Sequence, residues 1–141
     1  MADATGPADD AEPTDTPGAG ASAGPTGSTG PTISTHVLDA DLGQPAVGVH
    51  VALYKLGEDD RPIRLTQTLT DSDGRVRDLL ERPMSPGDYR LEFVLAGARG
   101  KLGEDRFFRR MAIDLRIIDT TRSYHVPLLL SPFSMTTYRG S

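Results

Sequence analysis

Cysteine and asparagine are both missing from the 141 residues. Without cysteine there are no disulfides, no thiolate nucleophile and none of the usual structural zinc sites, and a reducing compartment suits the chain. Without asparagine there is no N-glycosylation sequon. Long hydrophobic runs are missing too. The longest, VPLLL at 126–130, is far below the roughly 20 apolar residues of a membrane span, so no membrane partner is expected. Aromatics make up 6% and apolar residues 37%, which suits one domain with a modest core. The opening MADATGPADD has neither the basic nor the apolar region of a secretory signal, so the cytoplasm is the expected location.

Basic residues are absent from the first 31 positions, where Asp3, Asp9, Asp10, Glu12 and Asp15 supply five negative charges. Those five account for the whole imbalance of 20 acidic against 15 basic residues. The rest of the chain is balanced, with signs interspersed and no basic cluster backed by aromatics, so no nucleic-acid partner is expected. After Met1, every residue as far as Pro31 is Ala, Asp, Glu, Gly, Pro, Ser or Thr. Such a segment buries too little apolar surface to offset an ordering cost of roughly 1–2 kcal/mol per residue. Residues 1–31 are read as a disordered acidic arm, and residues 32–141 as the folded domain.

From Ile33 the composition changes to short alternating runs. ISTHVLD, VHVALYK, RLTQTLT, DYRLEFVL, MAIDLRII, SYHVPLLLS and SMTTYR read as strands, separated by ADLGQPAVG, TDSDGR, MSPG and SP. Seven or eight short strands in this length predict an all-β antiparallel sandwich. Only GRVRDLLERP and ARGKLGEDRFFRR leave room for a short helix. The period of two assigns directions. Tyr89, Leu91, Phe93 and Leu95 share a core face, as do Met111, Ile113, Leu115 and Ile117. Tyr124, Val126, Leu128 and Leu130 point inward, so His125, Pro127 and Leu129 point outward, as His36 does opposite Ile33, Thr35 and Val37.

His50 also faces outward, so period alone does not rank the three histidines. His36 and His125 differ in their company, since STHVLD is poor in charge for an outer face and HVPLLLSPF sets leucine and proline beside its histidine. Outer faces of that kind are often interfaces or pocket walls. No two histidines stand at metal-ligand spacing. TDSDGR begins like a calcium loop but has Val76 where glycine is required and Arg82 where a bidentate glutamate belongs, so it reads as an Asp-Gly turn. GARGK is too short for a phosphate loop, and no Gly-x-Ser-x-Gly elbow occurs. The groups left for chemistry are outward histidines, Arg75 on a tight turn, and Tyr138, Arg139 and Ser141. An imidazole with a pKa near 6.5 takes protons from water at neutral pH, and a guanidinium stabilises an oxyanion.

Three stretches together, STHVLDADLGQPAVGVHVALYK, TDSDGR and YHVPLLLSPFSMTTYRGS, resemble the transthyretin-like 5-hydroxyisourate hydrolases over residues 32–141. The resemblance implies hydrolysis of 5-hydroxyisourate to 2-oxo-4-hydroxy-4-carboxy-5-ureidoimidazoline in urate degradation, without metal or organic cofactor. It also implies a homotetramer, a dimer of dimers with active sites in the channel between them, and a C-terminal strand that reaches the site. By matching motifs it makes His36, Arg75, His125 and Ser141 catalytic, and His36, Arg75, Tyr138 and Arg139 substrate-binding. Either His36 or His125 serves as the base that activates water. Two other readings stay open: a transthyretin-like carrier that binds a small planar ligand in the same channel without turnover, and a structural or adhesive β-sandwich module.

Overall fold

Ile33, Thr35, Val37 and Asp39 are buried while Ser34, His36 and Leu38 between them are half-buried, and this strict alternation makes the first strand the axis of the fold. The computed structural model describes residues 30–95 and 106–141. Its strands are β1 (Ile33–Asp39), β2 (Gln44–Pro45), β3 (His50–Leu56), β4 (Pro62–Leu69), β5 (Arg75–Val76), β6 (Gly87–Val94), β7 (Arg110–Ile117), β8 (Tyr124–His125), β9 (Leu128–Ser131) and β10 (Ser134–Thr137). They form two sheets of an all-β sandwich. The first has the order β10-β9-β1-β2, with β5 and β8 also paired to β1, and the second has the order β4-β3-β6-β7. The expected arm over residues 1–31 lies outside the described residues except for its last two. Among the described residues no helix is long and apolar enough to cross a membrane.

The sheets depart from an all-antiparallel expectation at β1, which runs parallel to both β8 and β9. The chain leaves β1, builds the second sheet and returns, and that excursion is the crossover a parallel pair requires. The described strands number ten rather than seven or eight because both edges of β1 are shared. On one edge, β5 pairs with Thr35 and His36 while β2 pairs with Leu38 and Asp39. On the other, SYHVPLLLS is split into β8 and β9 at Pro127, which has no N–H to give the ladder. The gap is bridged by Thr35, whose hydroxyl donates to the Val126 carbonyl at 2.6 Å, and by the Val126 N–H, which donates to the Ser34 carbonyl at 2.9 Å.

The two sheets meet over Ile33, Val37, Val51, Leu53, Leu91, Phe93, Leu128 and Leu130, all withdrawn from solvent. Each such side chain contributes roughly 1.5–3 kcal/mol through burial. The inward face foreseen for residues 89–95 is buried throughout, whereas on β7 only Ile117 is fully covered and Met111, Ile113 and Leu115 are half-buried. β7 is an edge strand, so its inner face has sheet on one side only. Asp39 also points inward. Its carboxylate accepts from the N–H groups of Asp41 and Leu42 and pairs with Arg106, tying the β1–β2 turn to the segment that leads into β7.

The helical room foreseen in residues 74–83 is not used. Arg75 and Val76 are held extended by His36 and Thr35, and the Leu79 N–H then donates to the Ile33 carbonyl at 2.8 Å, burying Leu79 and Leu80. The second stretch, 98–110, lies mostly outside the described residues, and its described end is extended into β7. A single 3-10 turn at Glu58–Asp60, between β3 and β4, is the helical element among the described residues.

Candidate active site

The turn before β5 is organised by one carboxylate. Asp71 Oδ1 accepts from the N–H groups of Asp73 at 2.8 Å and Arg75 at 2.9 Å, while the Asp71 carbonyl accepts from Gly74 N–H at 2.8 Å. Gly74 has a φ of +77°, and a Cβ there would stand 2.5 Å from the Val37 carbonyl oxygen. Only glycine lets the turn come this close to β1, where Val37 N–H donates to the Gly74 carbonyl at 2.7 Å. The turn is thereby fixed against the strand, and Arg75 lies directly across the ladder from His36.

Residues opposite each other in a ladder share a face. His36 and Arg75 are therefore on one side, and so are Ser34 and His125, which are paired in the parallel β1–β8 register. Since Ser34 and His36 are two apart on β1, all four belong to the outer face of the first sheet. His36 Nε2 is 2.8 Å from the carbonyl oxygen of Asp73, an atom that can only accept. Nε2 therefore carries a proton, and Nδ1 is the nitrogen left for other work. An open groove of about 560 Å³ runs along this face, lined by His36, Leu38, Pro45, Asp73, Arg75 and Arg77.

His125 is held on two sides. Its Nδ1 lies 2.9 Å from Ser34 Oγ, and its carbonyl accepts from the Gly140 N–H at 2.6 Å. Gly140 passes so close to the imidazole that a Cβ would meet Cδ2 at 3.0 Å. Burial, and then the positive charges of Arg75 and His36, keep the His125 pKa below the ordinary histidine range. At neutral pH this imidazole is uncharged and able to accept a proton. Arg75 would supply positive charge beside it for an oxyanion. Among the described residues no three metal-ligating side chains come together.

The structure thus brings His36, Arg75 and His125 onto one face. Ser141 is exposed and follows Gly140 past the His125 ring. Tyr138 and Arg139 are placed otherwise. They line a second hollow of about 340 Å³, with Ile113, Leu115, Ile117, Tyr124 and Val126, where β7 faces the end of the chain. Pro127 does face away from the core, yet it is buried, because Thr137 bonds its carbonyl at 2.8 Å and Gly140 would place a Cβ 3.5 Å from its Cδ. His50 lies on β3 in the other sheet and has no part in this face.

Three participants were not foreseen. Ser34 was within reach of the period-two argument, since it stands two residues from His36 on the same side. The Asp73 carbonyl was not, because a backbone acceptor has no letter in the sequence. Gly140 signals its role only once the fold lays it against His125.

The HIUase/Transthyretin family profile matches residues 33–140. The 5-hydroxyisourate hydrolase of Salmonella dublin is 40% identical over 110 residues, covering 77% of this chain and 80% of that protein. Among solved structures, Klebsiella pneumoniae 5-hydroxyisourate hydrolase superposes with a TM-score of 0.66 at 34% identity, covering 79% of this chain and 94% of the other. Sea bream transthyretin in complex with thyroxine superposes at 0.68 with 28% identity, covering 76% and 92% respectively.

Proposed function

The chain belongs to the HIUase/transthyretin family, and from that premise we infer that it is a 5-hydroxyisourate hydrolase of urate degradation. The observation that carries the reading is the meeting of His36, Arg75 and an uncharged His125 on one outer face. A carrier of a planar ligand has no need of a base beside a guanidinium. The likeness to sea bream transthyretin supports the same fold for both activities and does not favour binding alone.

In the proposed mechanism His125 is the base. Its Nε2 takes a proton from water as the water oxygen bonds to the C6 carbonyl carbon of the substrate ring. The negative charge that develops on the carbonyl oxygen is stabilised by Arg75. Collapse of the tetrahedral intermediate breaks the bond from C6 to the ring nitrogen, and the proton held by His125 passes to that nitrogen. The product is 2-oxo-4-hydroxy-4-carboxy-5-ureidoimidazoline. His36, with Nε2 committed to the Asp73 carbonyl, orients the substrate through Nδ1. Tyr138, Arg139 and Ser141 complete substrate binding. Support for Ser141 is that its neighbour Gly140 lies against the His125 ring; Tyr138 and Arg139 line a separate hollow, so their part rests on the family motif.

The active assembly is a homotetramer, a dimer of dimers whose central channel is walled by this face. The exposed apolar side chains Leu42, Phe107 and Phe133 suit contact with further copies. No metal or organic cofactor enters the reaction. A reducing cytoplasm suits a chain without cysteine, and residues 1–31 form an arm outside the hydrolase domain of residues 32–141.

The reading is tested by generating 5-hydroxyisourate in place from urate with urate oxidase, in water enriched in oxygen-18, and following its ultraviolet decay. Accelerated decay with one label in the new carboxylate is expected. Decay at the spontaneous rate from a folded protein that binds the compound would support the carrier instead.

A further inference from the structure

We propose that Ser34 is a positioning residue for hydrolysis, its hydroxyl accepting the Nδ1–H of neutral His125 so that the lone pair stands on Nε2. The two groups are neighbours in the β1–β8 ladder, share the outer face, and lie 2.9 Å apart. A serine hydroxyl can donate or accept, and neutral imidazole has one nitrogen of each kind, so two arrangements fit the distance. They differ in consequence. Were Ser34 the donor, Nε2 would carry the proton and could not take one from water. With Ser34 the acceptor, Nε2 is the basic nitrogen.

Proton uptake favours the second arrangement. The imidazolium carries hydrogen on both nitrogens, so an acceptor at Nδ1 serves the neutral and the charged ring equally, and the bond survives the catalytic cycle without rearrangement. A donor at Nδ1 would have to rotate away each time the ring became charged. Gly140 lies against the ring at Cδ2, where a Cβ would stand 3.0 Å away. Among the described residues Nε2 has no protein partner.

His36 provides the contrast. Its proton is fixed on Nε2 by a carbonyl that only accepts, which leaves Nδ1 available. The two imidazoles of one face are thus set in opposite tautomers, by a backbone oxygen in one case and by a side chain in the other. Only the second lock can be removed by substitution. Ser34 acts through His125 and does not itself touch the substrate.

Ser34's role presupposes the hydrolytic reading, but the tautomer can be read without turnover. Long-range proton–nitrogen spectra of the full chain, with nitrogen-15 histidine, are expected to show His125 protonated at Nδ1 and unprotonated at Nε2 at neutral pH. Ser34→Ala is expected to shift that population toward Nε2–H and to lower kcat roughly 10- to 100-fold with little change in KM. Ser34→Thr, which keeps the hydroxyl, is expected to restore both. A wild-type His125 with its proton on Nε2, or a Ser34→Ala variant with full kcat, overturns Ser34's role alone. Wild-type protein that never accelerates hydrolysis overturns the hydrolytic reading, and with it the consequence for Ser34.

Discussion

The outer faces of the two sheets treat charge in opposite ways. On the second sheet, Arg90 stands across the β6–β7 ladder from Asp114 and bonds it at 2.7 Å, and Arg116 stands across from Asp88 at 2.9 Å. Arg110 likewise pairs with Glu92. The guanidinium beside each aspartate holds the carboxyls of Asp88 and Asp114 below their usual range. On the first sheet the residue across from His36 is Arg75, with no acidic group in register. Among the described residues no carboxylate pairs with either side chain. The His36 bond goes to a backbone carbonyl and the His125 bond to a hydroxyl.

Opposite charges in cross-strand register contribute modestly to a sheet, and like charges weaken it. A face built only for stability would follow the pattern of the second sheet. The first sheet leaves the Arg75 guanidinium without a carboxylate on the face that carries an uncharged imidazole, while its neighbour Arg77 pairs with Asp73 at 3.6 Å. Local conflicts of this kind are expected where a protein does chemistry.

That contrast is broken most severely by removing charge from the first sheet. Arg75→Gln is expected to lower kcat/KM by about 10²- to 10³-fold in the ultraviolet assay while circular dichroism stays unchanged. The same substitution at Arg90, which lines neither the groove beside His36 nor the hollow beside Tyr138, is expected to leave turnover as it was. Next in size is the buried pair that ties the β1–β2 turn to the entry of β7. Asp39→Asn breaks the ion pair with Arg106 and weakens the acceptor that holds the Asp41 and Leu42 N–H groups, and is expected to cost about 2 kcal/mol in urea unfolding. Both side chains are at most 9% exposed, so water does little to compensate.

Gly74→Ala tests how the first face is assembled. It forces a side chain into the left-handed region and against the Val37 carbonyl, with an expected loss of about 2 kcal/mol in the same experiment. The Arg75 backbone moves with it, so kcat is expected to fall too. The smallest effect is on a titration. Because the Arg75 charge helps to depress the His125 pKa, Arg75→Gln is expected to raise it, as read from imidazole proton shifts against pH. For the intact protein, kcat/KM is expected to be level through neutral pH. It falls on acidification only below the ordinary histidine value of about 6.5, as the depressed His125 becomes protonated and ceases to be a base.

Much of this was legible in the sequence because period two states which way a side chain points. Ile33, Thr35 and Val37 inward and His36 outward follow from ISTHVLD alone, and Tyr89, Leu91 and Phe93 inward follow in the same way from DYRLEFVL. What period two does not state is which strand lies alongside. The parallel return of β8 and β9 to β1 depends on a crossover made by the whole second sheet. The two-residue strands β2 and β5 exist only because β1 offers them a ladder. Residues 74–83 have room for a helical turn, and tertiary pairing overrides it at Arg75 and Val76. Within the site, Arg75 and His125 were found by residue type and motif. Ser34, the Asp73 carbonyl and Gly140 became visible only when the ladder register set them beside the two imidazoles.

The central claim is that an uncharged histidine, on the same face of the first sheet as the unpaired Arg75 guanidinium, performs the hydrolysis. The most direct test follows the decay of freshly generated 5-hydroxyisourate with the wild-type protein and with His125→Gln at equal concentration, both verified as folded. Rapid decay with the wild type and a loss of about 10²- to 10⁴-fold in the variant is the expected result. Equal rates from the two proteins would contradict it, and would place the hydrolytic base on a group other than His125.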